Sequence, residues 1–193
     1  MNCLKVFDIM VKHAMSYFRE NNLHAAVLGI SGGIDSTVVA YVFNEVEKRF
    51  NDENYDFRFI GISMPTETTD SDEFRISELV GHAFCPNNFK IMDITEEATS
   101  VTIPYVPECP EWKNKFRIGN VKSRPRMIHL YDLANAYGGV VLGTDNYTEY
   151  LLGYSTIGGD GLFDYCPIQY LWKSEIYELA NYFREIEKER ENW

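Results

Sequence analysis

Residues 28–37 read Leu-Gly-Ile-Ser-Gly-Gly-Ile-Asp-Ser-Thr. They close the apolar run Ala25 to Ile30, which has the length of a buried strand, and they open a stretch with helical periodicity. Glycines at 32 and 33 let the backbone adopt positive φ and approach an anion closely. The free N–H groups and the dipole at a helix start favour phosphate, and Ser31 and Ser36 add hydroxyl donors. Asp35 would repel an anion if the loop did nothing else. It makes sense if it carries a Mg²⁺ that bridges phosphates. A glycine turn with a capped helix is the plain alternative, and the joint occurrence of strand, SGGxDS and helix weighs against it.

Other residues are less telling one by one. Lys113, Lys115, Arg117, Lys122, Arg124 and Arg126 are six of the 18 basic residues, and no acid lies between the first and last of them. In a chain of net charge −11, such a run is suited to a compact anion such as a nucleotide, or else forms a solvated helix face. The acidic total argues against bulk nucleic-acid binding, which rests on phosphate neutralisation. Glu149 alone reads as a surface acid, Lys173 as a helix-start residue and Asp160 as a turn aspartate between glycines. Cys3, Cys85, Cys109 and Cys166 form no CxxC pair, so neither a zinc ribbon nor a dithiol centre is indicated, and reduced, partly buried thiols are expected.

The elements that must position these residues alternate. Helical patterns cover Val6 to Tyr17, Asp35 to Phe50, Asp70 to Phe84, Ile118 to Tyr137 and Trp172 to the C-terminus. Strand patterns cover His24 to Ile30, Phe57 to Ser63, Phe89 to Met92 and Val140 to Gly143. Such alternation predicts an α/β protein, a doubly wound parallel sheet in a three-layer α/β/α sandwich of Rossmann-like type. Ligands then bind beyond the carboxyl ends of the strands, where the turns after Ile30, Ser63 and Gly143 should meet. Thr95 to Lys115, with three prolines, reads as irregular. At 193 residues, one domain over 1–193 is expected. No apolar run approaches the roughly 18 residues of a membrane helix, and Met1 to Met10 has no signal core. A cytoplasmic protein without membrane or nucleic-acid partners is the expectation.

The loop resembles the pyrophosphate-binding loop (PP-loop) of the N-type ATP pyrophosphatases, which split ATP between its α- and β-phosphates and adenylate an oxygen of the substrate. Three further segments resemble the NAD synthetases within that superfamily. They are Phe116-Arg-Ile-Gly-Asn-Val-Lys-Ser-Arg-Pro-Arg-Met127, Leu142-Gly-Thr-Asp-Asn-Tyr-Thr-Glu149 and Gly153-Tyr-Ser-Thr-Ile-Gly-Gly-Asp-Gly161, followed by Asp164, Pro167-Ile168 and Lys173. The resemblance covers nearly the whole chain. It implies ATP-dependent amidation of nicotinic acid adenine dinucleotide to NAD⁺ by ammonia through an adenylated intermediate, with AMP and pyrophosphate released. It also implies that Gly29, Ser31, Gly32, Gly33, Asp35 and Ser36 hold ATP phosphates, that Thr144 and Lys173 contact ATP, and that Arg124 helps to bind nucleotide. Asp35 and Glu149 would bind Mg²⁺. Tyr17, Phe116, Arg124 and Asp164 would lie along the dinucleotide. Asp160 would sit near the amidation centre, so that Asp35, Asp160 and Lys173 carry the chemistry.

Departures from the family pattern occur at Ile157, where many members are basic, and at Ser63-Met64-Pro65 and Thr69, so the adenine and ribose contacts should differ. The chain ends twenty residues after Lys173, whereas the family usually continues into elements that cover the site. A homodimer is expected, as in the family, with Tyr17, Phe18 and Phe116 as interface aromatics. A GMP-synthetase-like amidase, a tRNA-modifying enzyme and a weakly active nucleotide-binding relative are the alternatives, the missing CxxC speaking against tRNA thiolation.

Overall fold

The computed structural model describes residues 1–103 and 108–191. Along the chain these form α1 (Cys3–Glu20), β1 (Ala25–Gly29), α2 (Ile34–Asp52), β2 (Arg58–Ser63), α3 (Ser71–Phe84) and β3 (Phe89–Ile91). There follow α4 (Thr95–Ser100), α5 (Glu111–Ala136), β4 (Gly139–Val141), α6 (Tyr147–Leu152) and α7 (Lys173–Glu191). The strands pair in the order β3-β2-β1-β4, all parallel.

This order explains the layers. The connections β1-α2-β2 and β2-α3-β3 step one way across the sheet, and the long connection through α4 and α5 returns to the far side of β1. Right-handed crossovers therefore send α2 and α3 to one face and α5 to the other. α1 and α7 pack with α2. The strand residues divide accordingly. Ala26, Leu28, Ile30 and Phe59 join the core beneath α1, α2 and α7, and Ala25, Val27, Ile60 and Val141 face α5 through Leu130, Leu133 and Ala134. Period-two alternation along β1 is thus buried on both sides, as a central parallel strand requires.

The expected strands and principal helices are present, and the three-layer parallel α/β/α arrangement is as read. Two expectations need correction. The segment from Thr95 to Lys115 is not irregular throughout: Thr95–Ser100 is helical, and α5 begins at Glu111, seven residues before Ile118. Pro110 takes the position before the first turn of α5, and Pro125 lies inside it. Residues 104–107, which include two of the three prolines, lie outside the described residues. Glu149 lies on the first turn of α6. Phe18 is also not at the surface. It is fully buried against Phe43, Phe57 and Tyr165, so it cannot serve as an interface residue. Among the described residues the four cysteines are free, Cys85 being buried, and no helix is long and apolar enough to cross a membrane.

Candidate active site

The turn from β1 to α2 is built around one glycine conformation. Gly32 has φ of 84°, a region costly for residues with a Cβ. A Cβ there would also lie 2.6 Å from the Glu73 carbonyl oxygen of α3. Gly33 caps α2 with extended backbone and offers no side-chain acceptor to the first turn, so the N–H groups at the helix start are left for a ligand. The loop is braced from within. Gly33 N–H donates to Ser31 Oγ at 3.2 Å, Ser31 Oγ lies 3.1 Å from Ser36 Oγ, and Ser36 and Thr37 hydroxyls donate to Gly33 O at 3.0 and 2.9 Å.

A cleft of about 450 Å³ opens at this end of the sheet, where β1 and β4 send their connections in opposite directions. Its floor is the strand ends and the turns after them: Gly29 to Ser31, Ile62 to Pro65, and Val141, Leu142 and Thr144. α3 contributes Glu73 and Ser77. α5 and the segment after α6 contribute Ser123, Arg126, Gly159 and Asp160. The turns predicted to meet therefore do so.

Beside the cleft, Lys173 at the start of α7 pairs with Asp35 of α2 and, at 3.4 Å, with Glu149 of α6. Burial works against the Lys173 charge, yet the two carboxylates hold its pKa above the ordinary value. Asn146, fully buried, joins the same acids: its Nδ2 donates to Asp35 Oδ1 at 2.9 Å and its Oδ1 accepts Glu149 N–H at 3.1 Å. Asp145 is half-buried close by. Burial, then the charges of Asp160, Glu149 and, more weakly, Asp35, raise its pKa to about 6. Two distant carboxylates thus converge on one cation, with a phosphate-type loop one turn away. Such an arrangement can hold a polyphosphate and its counter-ion together.

A profile of the NAD synthase family matches residues 6–188. The chain belongs to the NAD synthase family. It is 35% identical over 177 residues to the NH3-dependent NAD(+) synthetase of Pyrococcus horikoshii, covering 90% of this chain and 62% of that protein. It is 41% identical over 157 residues to the enzyme of the same name from Thermoplasma volcanium, covering 80% and 59%. The chain thus spans less than two thirds of the length of either relative. The structure of the NH3-dependent NAD synthetase from Campylobacter jejuni superposes with a TM-score of 0.80 at 29% identity, over 95% of this chain and 74% of that one.

Within this NAD synthase fold the expected site residues separate into groups. Gly29, Ser31, Thr144 and Asp160 line the cleft. Gly32, Gly33, Asp35 and Ser36 form the loop and helix start beside it, and Glu149 and Lys173 meet at Asp35. Asp160 is held in place, its Oδ1 accepting Thr156 N–H at 2.7 Å and the Ser123 hydroxyl at 3.2 Å. Four other residues are not brought there. Tyr17 packs on Tyr165 with ring centroids 4.7 Å apart, and Phe116 stands exposed near the start of α5. Asp164 spends its carboxylate on the edge strand, accepting Val141 N–H at 2.8 Å and the Tyr131 hydroxyl at 3.2 Å. Arg124 is exposed, and its guanidinium donates to Asn120 O at 3.3 Å within its own helix. The cleft receives Arg126 instead, whose Nε donates to Met64 O at 3.0 Å, and whose pKa is lowered by burial although Asp160 opposes this.

Reading by sequence placed Arg126 only within the basic run, without singling it out from Arg124, and gave Asn146 and Asp145 no role. Two of these had a signal. Arg126 continues the stripe Leu130, Leu133, Ala134 and Tyr137 at helical spacing, so it must share the sheet-facing side that Arg124 does not. Asn146 and Glu149 have the spacing of a capping box, which the structure shows complete. Asp145 had no local signal. The departures are also accounted for in part. Ser63 Oγ lies 2.7 Å from Ser77 Oγ beneath the cleft, Thr69 Oγ1 accepts Thr66 N–H, and Ile157 is almost fully exposed.

Proposed function

We propose that residues 1–193 act as one ATP pyrophosphatase domain that amidates nicotinic acid adenine dinucleotide to NAD⁺ with ammonia, releasing AMP and pyrophosphate. The carrying observation is the convergence of Asp35, Glu149 and Lys173, from three separated segments, beside a glycine loop with free helix N–H groups. Membership of the NAD synthase family supports the choice of reaction.

In this reading the first turn of α2, with Ser31 and Ser36, holds the pyrophosphate end of ATP, and the cleft behind it takes the adenosine. Arg126 lies where it can meet a phosphate or ribose oxygen. The donor set fits a magnesium ion. Asp35 and Glu149 supply hard oxygens that already share one positive charge, and Mg²⁺ commonly takes only one or two carboxylates and completes its shell with phosphates and water. When bound, the ion neutralises charge on the polyphosphate. Lys173 then donates to phosphate oxygens as charge develops there. Asp145 and Asp160 give the adjoining end of the cleft a negative field that draws ammonium. A carboxylate with pKa about 6 is suited to take a proton from it near neutral pH. Positioning and exclusion of water supply the rest, and no covalent nucleophile is called for.

The working unit in this proposal is a cytoplasmic homodimer. Tyr150, Leu151, Leu152, Tyr154 and Ile157 form an exposed apolar stretch of the kind associated with subunit contacts. Phe116 and Arg124 would then meet the dinucleotide from the surface at the seam. Incubation with ATP, Mg²⁺, ammonium and nicotinic acid adenine dinucleotide should yield NAD⁺, AMP and pyrophosphate in equal amounts. ADP and orthophosphate in their place would reject the reading. Sedimentation at micromolar concentration checks the dimer.

A further inference from the structure

Asn146 does two jobs, and only one of them needs to be done by an asparagine. As N-cap of α6 it accepts Glu149 N–H through Oδ1 at 3.1 Å, while Glu149 Oε2 accepts the Asn146 backbone N–H at 3.2 Å. Serine, threonine or aspartate caps a helix equally well. The second contact is Nδ2 to Asp35 Oδ1 at 2.9 Å, which joins α6 to the first turn of α2. The amide orientation is unambiguous, because Glu149 N–H requires the oxygen and the Asp35 carboxylate requires the NH₂ group. Aspartate here would set another carboxylate against Asp35. Serine would cap but not reach. Asn146 has no exposed surface, so water cannot readily replace either bond.

These contacts tie each of the two acids to the same side chain. Asp35 is held through its own carboxylate. Glu149 is held through its backbone N–H, and its carboxylate is turned back on the Asn146 backbone. Their remaining oxygens, Asp35 Oδ2 and Glu149 Oε1, are the ones that face Lys173. We infer that Asn146 is the positioning residue of the cation site: it aims Asp35 Oδ2 and Glu149 Oε1 at one point, so that the two carboxylates can share a divalent cation brought with the nucleotide. The inference rests on the proposed reading of Asp35 and Glu149 as cation ligands.

The test uses Mn²⁺ as probe, with the uptake of the free-ion paramagnetic resonance signal measured on the whole protein with α,β-methylene ATP, and the melting temperature measured in parallel. Asn146→Ser keeps the cap and deletes the contact to Asp35. Partners that orient metal ligands typically contribute about 10–100-fold in metal affinity, so Asn146→Ser should weaken Mn²⁺ uptake by about tenfold and melt lower only by the loss of one buried hydrogen bond. Asn146→Ala, which loses the cap as well, should weaken uptake as much and melt lower still. Equal Mn²⁺ uptake by the unsubstituted protein and Asn146→Ser overturns the positioning role and leaves the cation site standing. Loss of uptake that merely follows the melting temperature across both variants overturns it too, because a cap alone would then account for the effect. If the unsubstituted protein takes up no Mn²⁺ with the analogue, the cation reading of Asp35 and Glu149 fails and this inference falls with it.

Discussion

The two long helices that flank the cleft are built very differently. α2 has ten buried residues in 19, from Ser36 to Phe50, and lies between the sheet, α1 and α7. α5 has two, Pro125 and Ala134, in 26. Its C-terminal half rests on the sheet through Leu130, Leu133 and Ala134, and its N-terminal half leaves Trp112 and Phe116 each 67% exposed. The glycine loop is therefore attached to the helix with the most buried residues among those described, and the basic run to a far less buried one. A site that must hold a multiply charged group needs donors already fixed when the ligand arrives, and α2 supplies that. The N-terminal half of α5 buries little and is left available for a ligand or partner.

The largest test of this contrast is in stability. Phe43→Ala empties a fully buried position on α2 that touches Phe18, Phe59 and Tyr165, and should cost about 3–5 kcal/mol in denaturant unfolding. Phe116→Ala on α5 should stay within about 0.5 kcal/mol. Similar costs for the two would mean that α5 is as firmly held as α2. Next comes the loop: Gly32→Ala combines positive φ with the approach to Glu73 O. It should lose about 1–2 kcal/mol of stability from backbone conformation alone, together with most of the ATP affinity read by calorimetry.

A smaller effect sharpens the contrast within α5 itself. Arg126→Met removes a charged donor from the cleft and should weaken ATP binding by about tenfold, the equivalent of a hydrogen bond to a charged group. Arg124→Met removes an exposed charge, for which about threefold or less is expected. The reverse order would return Arg124 to the nucleotide role that family resemblance implies. A separate test is the pH response at the seam between the two walls. Asp145 has a folded pKa of about 6 against an ordinary 3.8. The folded state therefore binds this proton more tightly, and its contribution to stability is present below pH 4 and lost as pH rises to about 6. Asp145→Asn cannot titrate, so its melting temperature should gain on the unsubstituted protein between pH 4 and pH 6.5. Parallel profiles would show that Asp145 ionises freely.

The amino-acid sequence by itself determined the parallel α/β sandwich and the glycine loop between β1 and α2, because both are written in contiguous residues. Strand length, helical period and SGGxDS each act over a few neighbours, and their chemistry does not depend on what packs against them. It also carried Glu149 and Lys173, but only through resemblance, since a single acid or lysine has no local signature. Tertiary structure alone decided the rest. Arg124 and Arg126 are two residues apart; the apolar stripe of α5 separates their faces, but only the packing of that stripe on the sheet puts Arg126 in the cleft. In one dimension Phe18 looks free to meet a partner, and Tyr17 and Asp164 a ligand; crossover handedness and the sheet edge commit them to the core, to Tyr165 and to Val141. Asn146 reads as a helix cap from its spacing to Glu149, and its bond to Asp35 exists only because β1 and β4 are neighbours and end together. Contacts of this kind depend on the path of the chain, which no local pattern encodes.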